Sequence, residues 1–198
     1  MSKTGSPAIG GIVLAAGEGS RFGATKQLAP LGGRPLLEHA LAAVAELSPR
    51  VVVLGHAAEA ILAAVDLQGA QPVICAGWRE GQAASLRCGV AALGDVDAAV
   101  VVLGDQPRIT REAIAVLVAA APALRLGPAD APDALRAAYA GRPGHPVLLG
   151  RSLLDRVDEL RGNVGFRDLL DGAAVREVEV GPLADPTDID TQEELARI

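Results

Sequence analysis

Residues 9–26 read IGGIVLAAGEGSRFGATK, and this stretch decides the fold. The opening run, 9–15, is short and continuously apolar, which predicts a buried strand. A loop with three glycines follows it, and glycine permits the positive φ angles that bring successive backbone N–H groups around an anion. A buried strand that leads into such a loop is typical of α/β proteins that bind a phosphorylated ligand at this turn.

Beyond this stretch, apolar segments alternate with segments of helical periodicity. The periodicity predicts helices over 34–47, 57–65, 85–93, 111–121 (capped by Thr110), 152–160 and 167–170, and a last helix that opens with a capping box at Thr191 and Glu194. Apolar runs predict further strands over 51–54, 71–75, 98–103, 135–140, 146–149 and 175–180. Strands this apolar are covered on both faces. We therefore predict a single domain over residues 1–198 of the α/β class, with a mostly parallel sheet between two layers of helices.

The composition narrows the range of partners. The 198 residues carry 18 Lys plus Arg against 24 Asp plus Glu, a formal net charge of −6, and only 2% are aromatic. This balance disfavours nucleic acid, because neither a basic surface nor a set of stacking side chains is available. No apolar run approaches the length that spans a bilayer, and no secretory signal is present, so we expect a cytoplasmic protein without a membrane partner. Cys75 and Cys88 are expected to be reduced and buried.

The loop after the first strand carries the chemistry. Arg21 can bind two phosphate oxygens with its planar guanidinium, and Lys26 adds a mobile point charge. A polyphosphate fits these groups, whereas the structural alternative is a turn whose basic residues are merely solvated. The spacing Gly17-x-Gly19-x-x-x-Gly23 is one residue longer than the dinucleotide fingerprint, and no Gly-Lys-Ser or Gly-Lys-Thr occurs. A dehydrogenase and a P-loop ATPase are both disfavoured.

Five motifs in order carry a family resemblance. They are LAAGEGSRFGATKQLAPLGGRPLL at 14–37, GWREGQAASLR at 77–87, LGDQP at 103–107, GHP at 144–146 and DIDT at 188–191. Together they resemble the MobA-like nucleotidyltransferases, most closely the molybdenum cofactor cytidylyltransferase branch. The resemblance implies a Rossmann-like, nucleotide-diphospho-sugar transferase-like fold. It also implies Mg²⁺-dependent transfer of CMP from CTP to a phosphorylated acceptor, molybdopterin or molybdenum cofactor, with release of pyrophosphate. Because such an acceptor is already anionic, the reaction needs no dedicated general base.

The same resemblance assigns the site residues. The catalytic set is Arg21, Lys26 and Asp105, and the nucleotide-binding set is Leu14, Ala15, Ala16, Gly17, Gly19, Ser20, Gly81, Ser85 and Gly104. Ala16 stands where guanylyl-transferring relatives have glycine, which favours CTP. Trp78 keeps an aromatic position near the nucleobase, where packing is an equal explanation. Cys75 departs from the asparagine that is usual in the family.

Carboxylates and acceptor residues complete the predicted site. Asp105 follows the strand 98–103 at the carboxyl edge of the sheet and, by resemblance, binds Mg²⁺ together with Asp190, with Asp188 as the rival. The structural alternatives are a turn aspartate at 105 and helix capping at 190 or 191. The acceptor would meet Gln106, His145 and Asn163. A histidine hydrogen-bonded to backbone is the alternative at 145, and Asn163 replaces the more usual aspartate.

Three other functions stay open at this point. The first is a transferase that uses GTP or another NTP with a different phosphorylated acceptor. The second is an NAD(P)-linked oxidoreductase branch of the same family, in which the loop binds a dinucleotide. The third is a nucleotide-binding chaperone for cofactor insertion without catalysis. The favoured function also implies transient contact with a molybdoenzyme or its chaperone.

Overall fold

The computed structural model describes residues 7–124, 131–160 and 165–198. Its strands are β1 Ile9–Ala15, β2 Pro30–Leu31, β3 Arg34–Pro35, β4 Arg50–Leu54, β5 Gln71–Ile74, β6 Ala98–Leu103, β7 Ala134–Tyr139, β8 Arg142–Gly150 and β9 Val175–Glu179. Its α-helices are α1 Leu36–Ala43, α2 Ala58–Ala64, α3 Gln82–Leu93, α4 Arg111–Ala120, α5 Arg151–Leu154, α6 Gly165–Leu170 and α7 Gln192–Leu195. Within these ranges, no helix combines the length and the apolar character that crossing a membrane requires.

Seven of the described strands form one sheet in the order β5-β4-β1-β6-β8-β7-β9. The strand β1 lies near its centre and pairs in parallel with both β4 and β6, so that Ile12 is opposite Val51 on one side and Val101 on the other. The long strand β8 is inserted antiparallel between β6 and β7, while β9 returns to a parallel pairing with β7. The predicted mostly parallel sheet is confirmed.

Helices cover both faces of this sheet, as its apolar strands require. Because side chains alternate along a strand, Val13 of β1 belongs to one core cluster, with Leu37 of α1 and Leu117 of α4. Ile12 belongs to the other cluster, with Leu86 of α3. A Cβ at Gly89 would lie 2.8 Å from a methyl of Ile12, which shows how closely α3 approaches β1. The three-layer α/β/α architecture is confirmed.

The helix predicted over 34–47 is shorter than expected. Arg34 and Pro35 form β3, which pairs with β2, and the helix proper runs only from Leu36 to Ala43. The turn between the two short strands is Gly32-Gly33, and both glycines have positive φ (58° and 82°), as a tight hairpin with a two-residue turn requires. Pro35 therefore precedes the helix instead of opening its first turn.

Two further helices differ from the prediction by more than one or two residues at an end. The helix predicted from 85 begins three residues earlier, at Gln82, with Gly81 as its N-cap residue. The helix predicted over 152–160 divides into α5 and a 3₁₀ turn, Val157–Glu159. The predicted caps are confirmed, because Thr110 accepts a hydrogen bond from the amide of Ala113 and Thr191 forms a capping box with Glu194.

The expectation of two reduced cysteines is wrong, since Cys75 and Cys88 form a disulfide. Cys75 lies just after β5 and Cys88 lies on α3, and the packing of that helix against the sheet brings their Cα atoms to 5.9 Å. This separation lies within the range that a disulfide requires. The sequence shows only a separation of thirteen residues, from which the contact between strand end and helix cannot be read. Cys75 is buried, as predicted, whereas Cys88 is only partly buried.

Candidate active site

The glycine-rich loop leaves β1 at the carboxyl edge of the sheet and folds back on itself. Gly19 (φ 62°) and Gly23 (φ 76°) adopt the left-handed conformation on either side of a 3₁₀ turn, Ser20–Phe22. A residue with a side chain would be strained at both positions, so the two glycines set the curvature of the loop. Phe22 holds the turn against the rest of the protein, because its buried ring packs against Leu36 and Ile189.

Gln27 also shapes this loop, and sequence reasoning missed it. Its side chain is buried, and its amide nitrogen Nε2 donates hydrogen bonds of 3.0 Å to the carbonyl oxygens of Ala15 and Gly17. These two bonds tie the end of β1 and the start of the loop to the segment that carries Lys26. A polar residue directly after that lysine was the only available signal in the sequence.

Lys26 joins the two carboxylates that were predicted to bind a metal. Its Nζ donates hydrogen bonds to Asp105 Oδ2 at 2.8 Å and to Asp190 Oδ1 at 3.0 Å, and its side chain is only 9% exposed. Arg21 donates from its guanidinium to the other oxygen of Asp190, Oδ2, at 2.7 Å. The structure therefore brings together the three residues predicted to be catalytic and the second predicted carboxylate.

The protonation of this cluster follows from its contacts. Burial lowers the pKa of Lys26, but the charge and hydrogen bond of Asp105, together with those of Asp190, outweigh burial and raise the pKa overall. The hydrogen bond from Lys26 lowers the pKa of Asp190, and the charges of Lys26 and Arg21 lower it further. Lys26 and Asp190 are consequently both ionised at neutral pH.

Asp188, the rival second carboxylate, faces a different partner. The side-chain amide of Gln106 donates hydrogen bonds to Asp188 Oδ1 at 2.8 Å and to the carbonyl oxygen of Pro186 at 2.9 Å. Burial raises the pKa of Asp188. Gln106, which was predicted to contact the acceptor, thus holds the segment before α7 in place. The helix α7 is capped by Thr191 and not by Asp190, so the carboxylate of Asp190 accepts hydrogen bonds from Arg21 and Lys26 instead.

A cavity of about 540 Å³ opens beside the carboxylates. Its lining contains five residues of the predicted nucleotide-binding set, Leu14, Ala16, Gly17, Gly81 and Ser85, together with Asp105 and with Trp78, which was predicted near the nucleobase. Four further lining residues lie outside the predicted set: Glu18, Arg79, Gln82 and Leu103. A smaller cavity of about 80 Å³ adjoins it and is lined by Leu14, Ala15, Gly17, Gly19, Lys26, Gln27, Gly104 and Asp105. The predicted residue Ser20 lines neither cavity and lies in the 3₁₀ turn of the loop.

Trp78 forms one wall of the larger cavity. A Cβ at Gly55 would lie 2.5 Å from Trp78 Cγ and 2.7 Å from the carbonyl oxygen of Ala16, so the absence of a side chain there lets the indole pack onto the backbone. The guanidinium carbon of Arg79 lies 4.6 Å from the centroid of the indole ring, within cation–π distance. The aromatic position predicted near the nucleobase is therefore both packed and part of the cavity wall.

His145, one of the predicted acceptor residues, is not brought to the cavities. His145 lies on β8 and lines neither of these cavities. Its backbone oxygen accepts a hydrogen bond of 2.5 Å from Tyr139 Oη, and its ring Nε2 is closed off from solvent. Burial, and then the charge of Arg136, lower the pKa of His145 to about 4. Asn163 lies outside the described residues.

The pair Asp105 and Asp190 offers the donor set that a hard divalent cation prefers. One oxygen of each carboxylate lies within 3.0 Å of the same Lys26 Nζ, so the two oxygens converge on one point. Mg²⁺ and Mn²⁺ are bound by one or two carboxylates, with water and substrate phosphate oxygens completing the coordination. Among the described residues no group of three or more His, Cys, Asp or Glu is placed to hold a metal ion. The site thus fits a cation that binds together with a phosphate ligand.

Comparisons with known proteins identify the family. The MobA-like NTP transferase domain family matches residues 11–179. The protein is 30% identical to nicotine blue oxidoreductase from Paenarthrobacter nicotinovorans over an alignment of 209 positions, which covers the whole of both chains. It is 35% identical over 182 residues to the bifunctional protein GlmU from Sphingopyxis alaskensis, and these residues cover 89% of this chain but only 38% of that relative.

Solved structures give the same result. The crystal structure of Rv0371c from Mycobacterium tuberculosis superposes with a TM-score of 0.83 at 30% identity and covers 98% of each chain. A second crystal structure of that protein is a complex with manganese; it has a TM-score of 0.77 at 30% identity and covers 96% of this chain and 97% of that one. Full-length similarity therefore extends to a protein in this fold that binds a divalent cation.

Proposed function

Because the chain belongs to the MobA-like NTP transferase domain family, we propose that it is a nucleotidyltransferase that uses a divalent cation. The favoured reaction, carried out by a single domain over residues 1–198, transfers CMP from CTP to a phosphorylated acceptor and releases pyrophosphate. One observation carries the proposal. Arg21, Lys26, Asp105 and Asp190 form one cluster of charges, in which Asp105 lines the cavity of about 540 Å³ and Lys26 and Asp105 line the smaller cavity that adjoins it.

The proposed step is an in-line displacement at the α-phosphorus. An acceptor phosphate oxygen forms a bond to this phosphorus, while the bond to the oxygen that bridges the α- and β-phosphates breaks and pyrophosphate leaves with that oxygen. The residues act by positioning and by neutralising charge. The loop amides, Arg21 and Lys26 hold the triphosphate, and Asp105 and Asp190 hold Mg²⁺. When bound, Mg²⁺ neutralises charge on the phosphate oxygens.

The preference for CTP rests on the wall of the larger cavity. The methyl group of Ala16 is buried at this wall and occupies space that a glycine would leave open. Ser85, in the first turn of α3, and Gln82 place a hydroxyl and an amide along the same cavity, where they can bond the edge of a base. A smaller pyrimidine fits this arrangement better than a purine.

The acceptor and the cellular setting come from the family resemblance alone. The proposed acceptor is molybdopterin or molybdenum cofactor, held by Gln106, His145 and Asn163, in a cytoplasmic enzyme that contacts a molybdoenzyme or its chaperone transiently. The alternative, a transferase that uses GTP or another NTP with a different phosphorylated acceptor, would use the same cluster of charges, and the methyl of Ala16 is the feature that favours CTP over it. A chaperone without catalysis would bind the same nucleotide and release no pyrophosphate.

A second candidate function is favoured by one of the relatives. Nicotine blue oxidoreductase matches the whole chain at 30% identity, which supports an NAD(P)-linked oxidoreductase that uses the same loop. Two features oppose this candidate. The loop is one residue longer than the dinucleotide fingerprint, and β4 ends at Leu54 and is followed by Gly55-His56 with no carboxylate for a ribose.

The decisive experiment measures pyrophosphate release. Wild-type protein with CTP, Mg²⁺ and a phosphorylated pterin acceptor should release pyrophosphate, and Asp105→Asn should lower the rate by about 100-fold or more, as for the loss of one preorganised electrostatic contact. Asp155→Asn, which removes a carboxylate from an exposed ion pair with Arg151, should keep the wild-type rate. Reduction or oxidation of NADP(H) without pyrophosphate release would establish the oxidoreductase instead.

A further inference from the structure

Lys26 occupies the point on which the proposed metal ligands converge. Its ammonium nitrogen lies 2.8 Å from Asp105 Oδ2 and 3.0 Å from Asp190 Oδ1, and only 9% of the side chain is exposed. Arg21 holds the second oxygen of Asp190 at 2.7 Å. The two cations proposed to bind phosphate are therefore the same groups that neutralise the two carboxylates proposed to bind the divalent cation.

Lys26 and a divalent cation cannot both bind the same oxygens of Asp105 and Asp190. A divalent cation bound to both carboxylates lies about 2.1 Å from their oxygens and carries two positive charges. An ammonium that kept its hydrogen bonds to the same oxygens would lie against that cation and be strongly repelled. The lysine side chain has four flexible methylene groups, so its charge can move away from the carboxylates. Lys26 lines the smaller cavity together with the loop glycines Gly17 and Gly19, and its ammonium group can move toward that part of the loop.

We propose that Lys26 is a resident counter-ion of the metal site, which a triphosphate draws away. In the nucleotide-free protein it holds Asp105 and Asp190 together and competes with divalent cations for them. When a triphosphate enters the loop, Lys26 bonds the phosphates and the carboxylates become free for the cation. The exchange makes cation binding weak without nucleotide and strong with it. This inference rests on the proposed function, because it uses the same two carboxylates.

The first test measures Mn²⁺ binding to the nucleotide-free protein by the paramagnetic resonance signal of free Mn²⁺. Lys26→Met keeps an unbranched side chain that is one atom shorter and removes its charge, so its affinity for Mn²⁺ should rise about tenfold or more over wild type, the scale of one charged hydrogen bond. Lys26→Arg keeps a competing cation and should show no such rise. Arg151→Met removes a charge from exposed ion pairs with Asp95 and Asp155, and should bind Mn²⁺ as wild type does.

A second test needs no variant, because Lys3 and Lys26 are the only lysines in the chain. Acetylation by a water-soluble ester, followed by mass spectrometry, reports the two side chains separately. Saturating Mg²⁺ without nucleotide should displace Lys26 from the carboxylates and raise its acetylation rate several-fold, while the rate at Lys3 stays constant. This measurement holds even if Lys26→Met does not fold.

The outcomes separate this inference from the proposed function. If Lys26→Met folds and binds Mn²⁺ no more tightly than wild type, or if Mg²⁺ leaves the acetylation of Lys26 unchanged, the exchange is refuted. Wild-type binding of Mn²⁺ that is lost in Asp105→Asn would still support the metal site in that case. If neither wild type nor Lys26→Met binds Mn²⁺ with or without CTP, both the exchange and the proposed metal site fail.

Discussion

Arg21 makes a short contact to Asp190, yet 73% of its side chain is exposed to solvent. Such an ion pair contributes little to folding, because water competes for both partners. The residue is therefore free to exchange Asp190 for phosphate. It lies on the 3₁₀ turn of the loop that is proposed to hold the triphosphate.

From this position we predict that Arg21→Ala weakens CTP binding by about 1–3 kcal/mol, the range for hydrogen bonds to a charged group. Isothermal calorimetry in the presence of Mg²⁺ measures the change. Arg21→Lys should recover only part of it, since an ammonium cannot bond two phosphate oxygens in one plane. The free energy of unfolding should stay within about 0.5 kcal/mol of wild type. Unchanged affinity in Arg21→Ala would remove this residue from the site.

His145 gives a prediction about acid stability. Burial, and then the charge of Arg136, lower its pKa from 6.5 to about 4, so between these values the unfolded chain binds a proton that the folded protein does not. The stabilisation is complete above pH 6.5 and is lost as the pH falls toward 4, and the loss amounts to about 2 kcal/mol by pH 5. Urea unfolding at several pH values should show that the free energy of unfolding of His145→Gln falls less than that of wild type over this pH range, because glutamine does not titrate. Equal losses in both proteins would contradict the assignment.

At the scale of the elements, the apolar strands at the centre of the sheet were predictable, whereas the two-residue strands and the first four residues of β8, which was predicted only over 146–149, were not. The strand β6 has the predicted bounds, because a run of six apolar residues is too short for a typical helix and suits a strand that is covered on both faces. The strands β2 and β3 have two residues each, too few for any periodicity. The insertion of β8 between β6 and β7 depends on pairing between distant segments, which local patterns do not record.

The candidate site was likewise predictable from the sequence only in part. A carboxylate at the end of β6 could be expected from the strand before it, since parallel α/β sheets bind ligands at the carboxyl edge. The ion pairs of Lys26 could not, because its partners lie 79 and 164 residues away. The sequence showed which charges were present, and only the assembled sheet shows that the positive and negative groups neutralise each other before any ligand binds.

The disulfide links two elements, the end of β5 and α3, and its contribution to stability can be tested. It closes the segment that contains Trp78 and Gly81, both of which line the larger cavity. Replacing both Cys75 and Cys88 by Ser should lower the free energy of unfolding by about 3 kcal/mol, as for a closed loop of about 15 residues. Denaturant titration measures the change, and wild type treated with a reductant is the matched control.

Thiol counting checks the same bond directly. Wild-type protein denatured without reductant should take up no iodoacetamide, and a reductant should expose two thiols per chain. Two labelled cysteines in the untreated protein would contradict the disulfide and restore the reduced pair that the sequence favoured. That result would also agree with the proposed cytoplasmic setting, where thiols are kept reduced.

At the scale of the molecule, the proposed ligand site joins segments that are far apart in the chain. The loop after β1, the start of α3, the end of β6 and the segment before α7 each contribute to it, and Ile189 N donates a hydrogen bond of 2.9 Å to the backbone oxygen of Asp105 to hold the last two together. A ligand that contacts all four segments binds only the folded state. Ligand binding should therefore raise the stability of the whole fold.

This coupling gives the prediction that distinguishes the candidate functions. CTP with Mg²⁺ at about 100 times its Kd should raise the melting temperature by about 5–10 °C, since binding then adds about 2.7 kcal/mol to a fold of this size. Asp105→Asn should lose most of the shift, while Asp155→Asn should keep it. GTP should give a smaller shift than CTP if the methyl of Ala16 narrows the cavity, and Ala16→Gly should reduce that difference. A shift with NADPH and none with any nucleoside triphosphate would instead support the oxidoreductase, because the same loop would then bind a dinucleotide without needing the carboxylates.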